Sequence, residues 1–220
     1  MSLFQQLKDA NSDVWEVYTA HAFVQGLQLG DLPQAAFEYY LKQDYLFLIQ
    51  FARAYALAAY KTDNLADMKA ASETVTALID TEMRLHVDYC KGWGISEARM
   101  QEAEEAPANM AYTRYVLEKG LSGDILDLYV ALAPCVIGYG EIGARLKNSP
   151  VTVTNGNPYM PWINMYGGDD YQPVAVAAIE QIDRLAQTRF TEARFDSLSR
   201  TFRQATQLEA GFWQMGLDSL

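Results

Sequence analysis

Apolar residues recur at steps of three and four along most of this chain, whereas apolar/polar alternation appears only briefly around residues 151–154. That period predicts helices nearly throughout and an all-α protein. Residues 2–19 place Leu3, Leu7, Val14 and Trp15 at near-helical spacing, with Asn11 and Ser12 marking a break. His21 and Phe23 then fall in a connector that ends at Gly30. Asp31 and Pro33 open a second helix, an acid near the positive end and a proline at the start of the first turn, and the helix runs to about residue 60. Its inner stripe reads Phe37, Tyr40, Asp44, Phe47, Phe51, Tyr55, so a carboxylate is set into an aromatic face. Such a charge must be paired with a neighbouring helix or used in a ligand site, because left alone it costs several kcal/mol.

The same period predicts a third helix from an Asn64 or Asp63 cap to about Trp93, lined by Ala71, Val75, Leu78, Leu85, Tyr89 and Trp93. Glu82 and His86 sit one turn apart beside that face, and a hydrogen bond between them is expected ahead of a metal site. Two histidines in the whole chain are too few for a helical di-metal centre of the Glu-x-x-His type once other ligands are required. His21 is read as a connector histidine ahead of an axial haem ligand. Ser96 starts a short acidic helix, Pro107 closes the polar interval EAEEAP, and a helix follows from Asn109 to about residue 121 with Tyr112, Tyr115 and Val116 on one side.

The stretch at 126–145, LDLYVALAPCVIGYGEIGAR, is the most apolar of the chain. Helical spacing puts Leu128, Ala131, Leu132, Cys135 and Tyr139 on one stripe, so the thiol and the Tyr139 hydroxyl are expected together on the buried face. Pro134 removes an N–H from the helix ladder and predicts a kink beside the thiol. Taken alone, this is a structural cysteine in a kinked core helix. Downstream come a loop at 155–158, one or two helical turns at 161–166, a helix headed by Asp169 or Asp170 to about residue 188, and a last helix at about 191–217. That last helix turns Leu198, Phe202, Ala205, Glu209, Phe212 and Gly216 to one side, again with a lone carboxylate on an apolar face. Two core carboxylates, a thiol beside a proline and fourteen tyrosines together favour an active site over pure packing.

Composition narrows the partners. A chain of 220 residues, half of them hydrophobic, can bury one substantial core or two small ones, and no Pro/Ser-rich linker divides it. With two cysteines, Cys90 and Cys135, no disulfide framework is expected and a reducing cytoplasm is. The N-terminus has no signal-peptide pattern and no run of some 18 uninterrupted apolar residues is present, so a soluble protein without membrane contact is expected. A net charge of −11 makes a nucleic acid a poor partner and favours a neutral or cationic small molecule.

Four segments carry a resemblance that runs nearly end to end: LAPCVIGYGEIGARL, NPYMPWINMY followed by GGDDY, LEAGFWQM, and YLKQDYLFL. In that order they resemble the TenA family, thiaminase II or aminopyrimidine aminohydrolase. The resemblance implies a haem-oxygenase-like helical bundle, a single domain over residues 1–220, and a homotetramer that needs no metal or cofactor. It implies a hydrolase of thiamin salvage acting on 4-amino-5-aminomethyl-2-methylpyrimidine or on thiamin. Residue by residue, it assigns Cys135 as nucleophile, Glu209 as acid/base and Asp44 as the pyrimidine anchor. Phe47, Tyr112, Tyr139, Tyr166 and Phe212 fall on the remaining substrate-binding positions. Phe47 stands where the family commonly has tyrosine, and Asn164 where an acidic residue is common.

These residue types suit that chemistry. An ionised Asp44 accepts from the exocyclic amine and from a protonated ring nitrogen, while aromatic faces stack on the ring. A thiolate adds to the electron-poor ring, the substituent on the 5-methylene leaves, and water replaces it. Glu209 moves the protons, its apolar setting raising its pKa toward neutrality. The alternative is a non-catalytic haem- or ligand-binding or regulatory protein of the same fold.

Overall fold

The structure is a computed structural model that describes residues 2–219, and no strand occurs among them. The helices are α1 (Leu3–Ala10), α2 (Ser12–Thr19), α3 (Ala22–Leu29), α4 (Gln34–Lys61), α5 (Leu65–Ala77), α6 (Met83–Gly92), α7 (Glu97–Gln101), α8 (Pro107–Ser122), α9 (Ile125–Asn148), α10 (Met160–Tyr166), α11 (Gln172–Arg189) and α12 (Phe195–Asp218). A π-helical turn, Leu78–Glu82, joins α5 to α6. The chain divides into two compact units, one made of the residues up to Pro33 with Tyr129–Gln214, the other of Gln34–Leu128 with the residues from Met215 on.

In the first unit the N-terminal helices are fastened to helices more than a hundred residues away in sequence. The backbone N–H of Leu3 donates to Asp183 of α11 at 2.8 Å. Lys8 of α1 and the Trp15 indole of α2 both donate to Glu141 of α9, at 2.5 and 3.0 Å. Trp15 stacks on Phe202 of α12 with ring centroids 5.5 Å apart, and Phe23 stacks on Trp213 at 5.1 Å. The segment expected to be a connector after residue 20 is helix α3. Its ends were hard to read because an unusual residue caps it: His21 Nδ1 accepts from the Phe23 N–H, and Gly30 closes it at φ 73°. The alternation at 151–154 forms no strand, and that stretch is irregular. It is latched instead by Asn157, whose amide donates to the Leu27 and Val153 carbonyls at 2.9 Å and whose Oδ1 accepts from the Tyr159 N–H at 2.8 Å.

Helix α9 continues without interruption through Pro134. Gly138, one turn on, has no side chain where the Tyr18 ring lies, and that approach lets the Tyr18 hydroxyl donate to the Pro134 carbonyl at 3.2 Å. The Tyr171 hydroxyl likewise donates to the Val136 carbonyl at 3.1 Å and Gln172 to that of Gly140 at 2.9 Å. Among the described residues α9 is the one helix long and apolar enough to cross a membrane, yet 83% of its most apolar window is buried inside the protein. Its composition is that of a core helix. Gly143 marks its closest approach to another backbone: a Cβ there would land on the Tyr166 carbonyl carbon and the Gly167 nitrogen. Backbone cannot step aside as a side-chain tip can, so Gly143→Ala should cost about 1–3 kcal/mol and lower the melting temperature by roughly 3–10 °C, measured by circular dichroism. An unchanged melting temperature would mean that α10 is free to retreat.

The second unit is organised on α4. Gln43, 1% exposed, donates to the Glu104 carbonyl at 2.8 Å and accepts from the Ala106 N–H at 2.9 Å, while Asn109 of α8 donates to the Gln43 carbonyl at 2.9 Å. These bonds fix where α8 starts, at Pro107, two residues before the expected Asn109. Asn64 caps α5 as expected, its Oδ1 accepting from the Asp67 N–H at 2.9 Å while its amide donates back to the Asp67 carboxylate at 2.7 Å. The single helix expected to about Trp93 is in fact broken by the π-turn. A π-turn inserts one extra residue, which rotates everything after it by about 100°. Leu85, expected in the core, is therefore 54% exposed, and His86, Val87 and Cys90 take the inner face.

Candidate active site

The expected site residues fall in both units: Cys135, Tyr139, Tyr166, Glu209 and Phe212 in the first, Asp44, Phe47 and Tyr112 in the second. Each group is built by its own helices.

In the first unit, Cys135 is the half-exposed member of a run of α9 that is otherwise buried on both sides, from Leu128 to Gly140. The stripe drawn from the sequence thus holds for Leu128, Ala131, Leu132 and Tyr139, while Cys135 itself keeps some exposed surface. Tyr139, one turn on and 5% exposed, meets Tyr166 of α10 edge-to-face at 4.8 Å and Trp213 of α12 at 5.2 Å. Trp162 closes the group against Tyr166 at 4.7 Å, and Tyr171 meets Tyr166 from the other side at 4.9 Å. Trp162, Tyr171 and Trp213 extend the expected set, and they lie within NPYMPWINMY, GGDDY and LEAGFWQM, three of the segments that carry the resemblance. Glu209 is 2% exposed on the inner face of α12, and Phe212, three residues on, is equally buried.

In the second unit, the α4 stripe is as expected: Phe37 and Tyr40 are fully enclosed, and Asp44, Phe47, Phe51 and Tyr55 are at most 7% exposed. Phe47 stacks on Tyr112 of α8 at 5.4 Å and on Phe51 at 5.1 Å, both at 27°. Asp44 does have a partner from a neighbouring helix. Its Oδ2 lies 3.3 Å from Nδ1 of His86, and the other imidazole nitrogen, Nε2, donates to the Leu41 carbonyl at 2.7 Å. The expected Glu82–His86 bond is absent for that reason: the π-turn aims His86 at α4, and Glu82 makes no hydrogen bond among the described residues.

The ionisable groups around Asp44 are pushed toward their neutral forms. Burial lowers His86 to about 4, outweighing the bond to Leu41. Burial raises half-buried Glu82 to about 7. Cys90 is pushed up to about 12, burial being the largest cause, so it remains a thiol and cannot serve as a nucleophile at neutral pH. No three His, Cys, Asp or Glu side chains among the described residues are grouped to hold a metal ion. His21, whose Nδ1 caps α3, is lowered by burial against the raising effect of its bond with Gln214.

Helices that carry a partly exposed cysteine and Glu209 in one unit, and Asp44 among aromatic side chains in the other, define a class, and comparison with known proteins places it. The sequence profile of the TENA/THI-4/PQQC family matches residues 9–219, and the chain belongs to that family. A crystal structure from a Silicibacter species, described as a TenA family transcription regulator, is 47% identical and superposes with a TM-score of 0.93, covering 98% of this chain and 96% of that one. The aminopyrimidine aminohydrolase of Halalkalibacterium halodurans is 35% identical over 98% of this chain and 95% of its own length. A Shewanella denitrificans domain of unknown function with a haem-oxygenase-like fold is 14% identical, with a TM-score of 0.71 over 98% of this chain and 92% of that one. The architecture is therefore the haem-oxygenase-like helical bundle, as expected.

Proposed function

We propose that this protein is an aminopyrimidine aminohydrolase of thiamin salvage, releasing the substituent on the 5-methylene of a 4-aminopyrimidine and leaving the hydroxymethylpyrimidine. Full-length similarity to an enzyme of that name supports the reading. The structural observation that carries it is that Cys135 alone keeps some exposed surface in a stretch of helix buried on both sides of it. In this reading the Cys135 thiolate adds to the ring, the C–N bond to the leaving amine breaks, and water adds at the methylene before the thiolate departs. Glu209 protonates the leaving group and takes a proton from the water, and Asp44 holds the exocyclic amine. Tyr139 and Tyr166 supply ring contacts and hydroxyls, and Phe47, Tyr112 and Phe212 stacking surface. The family pattern also supports a cytoplasmic homotetramer without a cofactor, and the span of the family profile supports treating both units as one functional domain. A regulatory role through direct DNA contact is disfavoured by the net charge of −11.

The test is to offer the purified protein thiamin and 4-amino-5-aminomethyl-2-methylpyrimidine and to identify products by mass. Release of the hydroxymethylpyrimidine from either supports the reading, and no turnover of both removes it.

Phe47 bears on how well the reaction runs. Its ring stacks on Tyr112, so the aromatic surface is kept, but no phenol is present to donate or accept. Phe47→Tyr should raise kcat/KM for the aminopyrimidine by about two- to tenfold, the worth of one net hydrogen bond. A clear fall in steady-state assays would mean that the surrounding groups have adapted to phenylalanine and that an added hydroxyl is left unpaired.

A further inference from the structure

The Leu41 carbonyl, 2.7 Å from His86 Nε2, can only accept, so Nε2 carries a hydrogen. Nδ1 then faces Asp44 Oδ2 at 3.3 Å, with both side chains less than 10% exposed. A bare Nδ1 against an ionised carboxylate would set lone pair against lone pair in a poorly solvated place. One proton must lie between them. It can rest on the imidazole, making a buried ion pair, or on the carboxyl, making a neutral acid that donates to a neutral imidazole.

The surroundings decide between the two. His86 is flanked on its own helical segment by Glu82 and Cys90, and across from it on α4 by Asp44, with the charge of Lys42 felt at Cys90. Glu82 and His86 are both displaced by burial toward their uncharged forms. Surroundings that favour a neutral carboxyl at Glu82 and a neutral imidazole at His86 do not favour an imidazolium facing Asp44. We propose that His86 holds Asp44 as a carboxylic acid, accepting its O–H at Nδ1, and is thereby the positioning residue for the pyrimidine anchor. This rests on the anchoring role of Asp44 and changes its chemistry. The anchor presents one carbonyl-type oxygen to the exocyclic amine of a neutral ring, in place of a carboxylate that requires a protonated one. The π-turn is what makes this arrangement, since without its extra residue His86 would not face α4.

Nitrogen-15 spectra of the full chain labelled at histidine test the proton directly, because the chain has only two histidines. His86 should remain neutral from mildly acidic to mildly basic pH, with hydrogen on Nε2 and a hydrogen-bonded, unprotonated Nδ1. A doubly protonated His86 at neutral pH overturns the proposal, as does an Nδ1 signal indifferent to Asp44→Ala. Calorimetry with 4-amino-5-hydroxymethyl-2-methylpyrimidine provides the functional arm. An amide reproduces the acid's donor and acceptor, so Asp44→Asn should weaken binding less than Asp44→Ala, and His86→Gln less than His86→Leu, the apolar variants losing about tenfold. The His86 effects should fall on KM rather than on kcat. Asp44→Asn as damaging as Asp44→Ala would show that an ionised anchor is needed and overturn the proposal. If Asp44→Ala leaves affinity intact, the anchoring reading itself fails, while the spectra still report where the proton lies.

Discussion

Cys135→Ser is expected to lower turnover by about three orders of magnitude or more while leaving the protein able to bind the aminopyrimidine. Cys135 keeps some exposed surface between two buried neighbours, Pro134 and Val136, and a serine hydroxyl in the same place is a far weaker nucleophile. In the proposed reading the ring contacts come from other side chains, so affinity should survive. The chain contains its own control. Cys90 has no exposed surface and is held as a thiol by a pKa near 12, so Cys90→Ala should keep turnover within about twofold of wild type once stability is matched. Product release and calorimetry on the three proteins decide the matter, and near-normal turnover by Cys135→Ser removes the covalent step.

Glu209→Gln should lower kcat by about 10²–10⁴-fold with little change in affinity, because the amide keeps the shape of the side chain but cannot move a proton. Glu209 is 2% exposed on a helix face otherwise occupied by Leu198, Phe202, Ala205 and Phe212, a position that packing alone would give to another apolar residue. Asp44→Ala should behave in the opposite way, with the loss seen mainly in binding. A Glu209→Gln enzyme that binds poorly but turns over normally would mean that the two carboxyl groups have exchanged roles.

The long helices were legible because their faces repeat: α4 shows its stripe from Phe37 to Tyr55, and α12 shows its own with Glu209 in it. Caps with ordinary chemistry were legible too, as at Asn64 and Ser96. What was not legible follows from backbone that departs from the 3.6-residue period. The π-turn is invisible to a pattern search that assumes one period, and missing it sent Leu85 to the core and His86 to a partnership with Glu82. Helix α3 was missed because its N-cap is a histidine, a residue that does not signal a cap. Chemical types were easier to read than pairings. Asp44 announced that it needed a partner, but only the rotated face of α6 names His86.

The discontinuity of the first unit bears on how the protein is made. Helices α1 to α3 emerge from the ribosome before their packing partners, for Leu3, Lys8 and Trp15 bond to Asp183 and Glu141, and Trp15 and Phe23 stack on Phe202 and Trp213. Nothing from Tyr129 onward exists until the whole of Gln34–Leu128 has been synthesised. At about 5–20 residues per second, roughly 100 residues take about 5–20 s. During that interval α4 to α8 can assemble from contiguous chain, while the apolar sides of Leu3, Phe4, Leu7, Trp15 and Phe23 wait uncovered. Helices α1 to α3 therefore stay without their packing partners for the whole time that the second unit's main segment is being made.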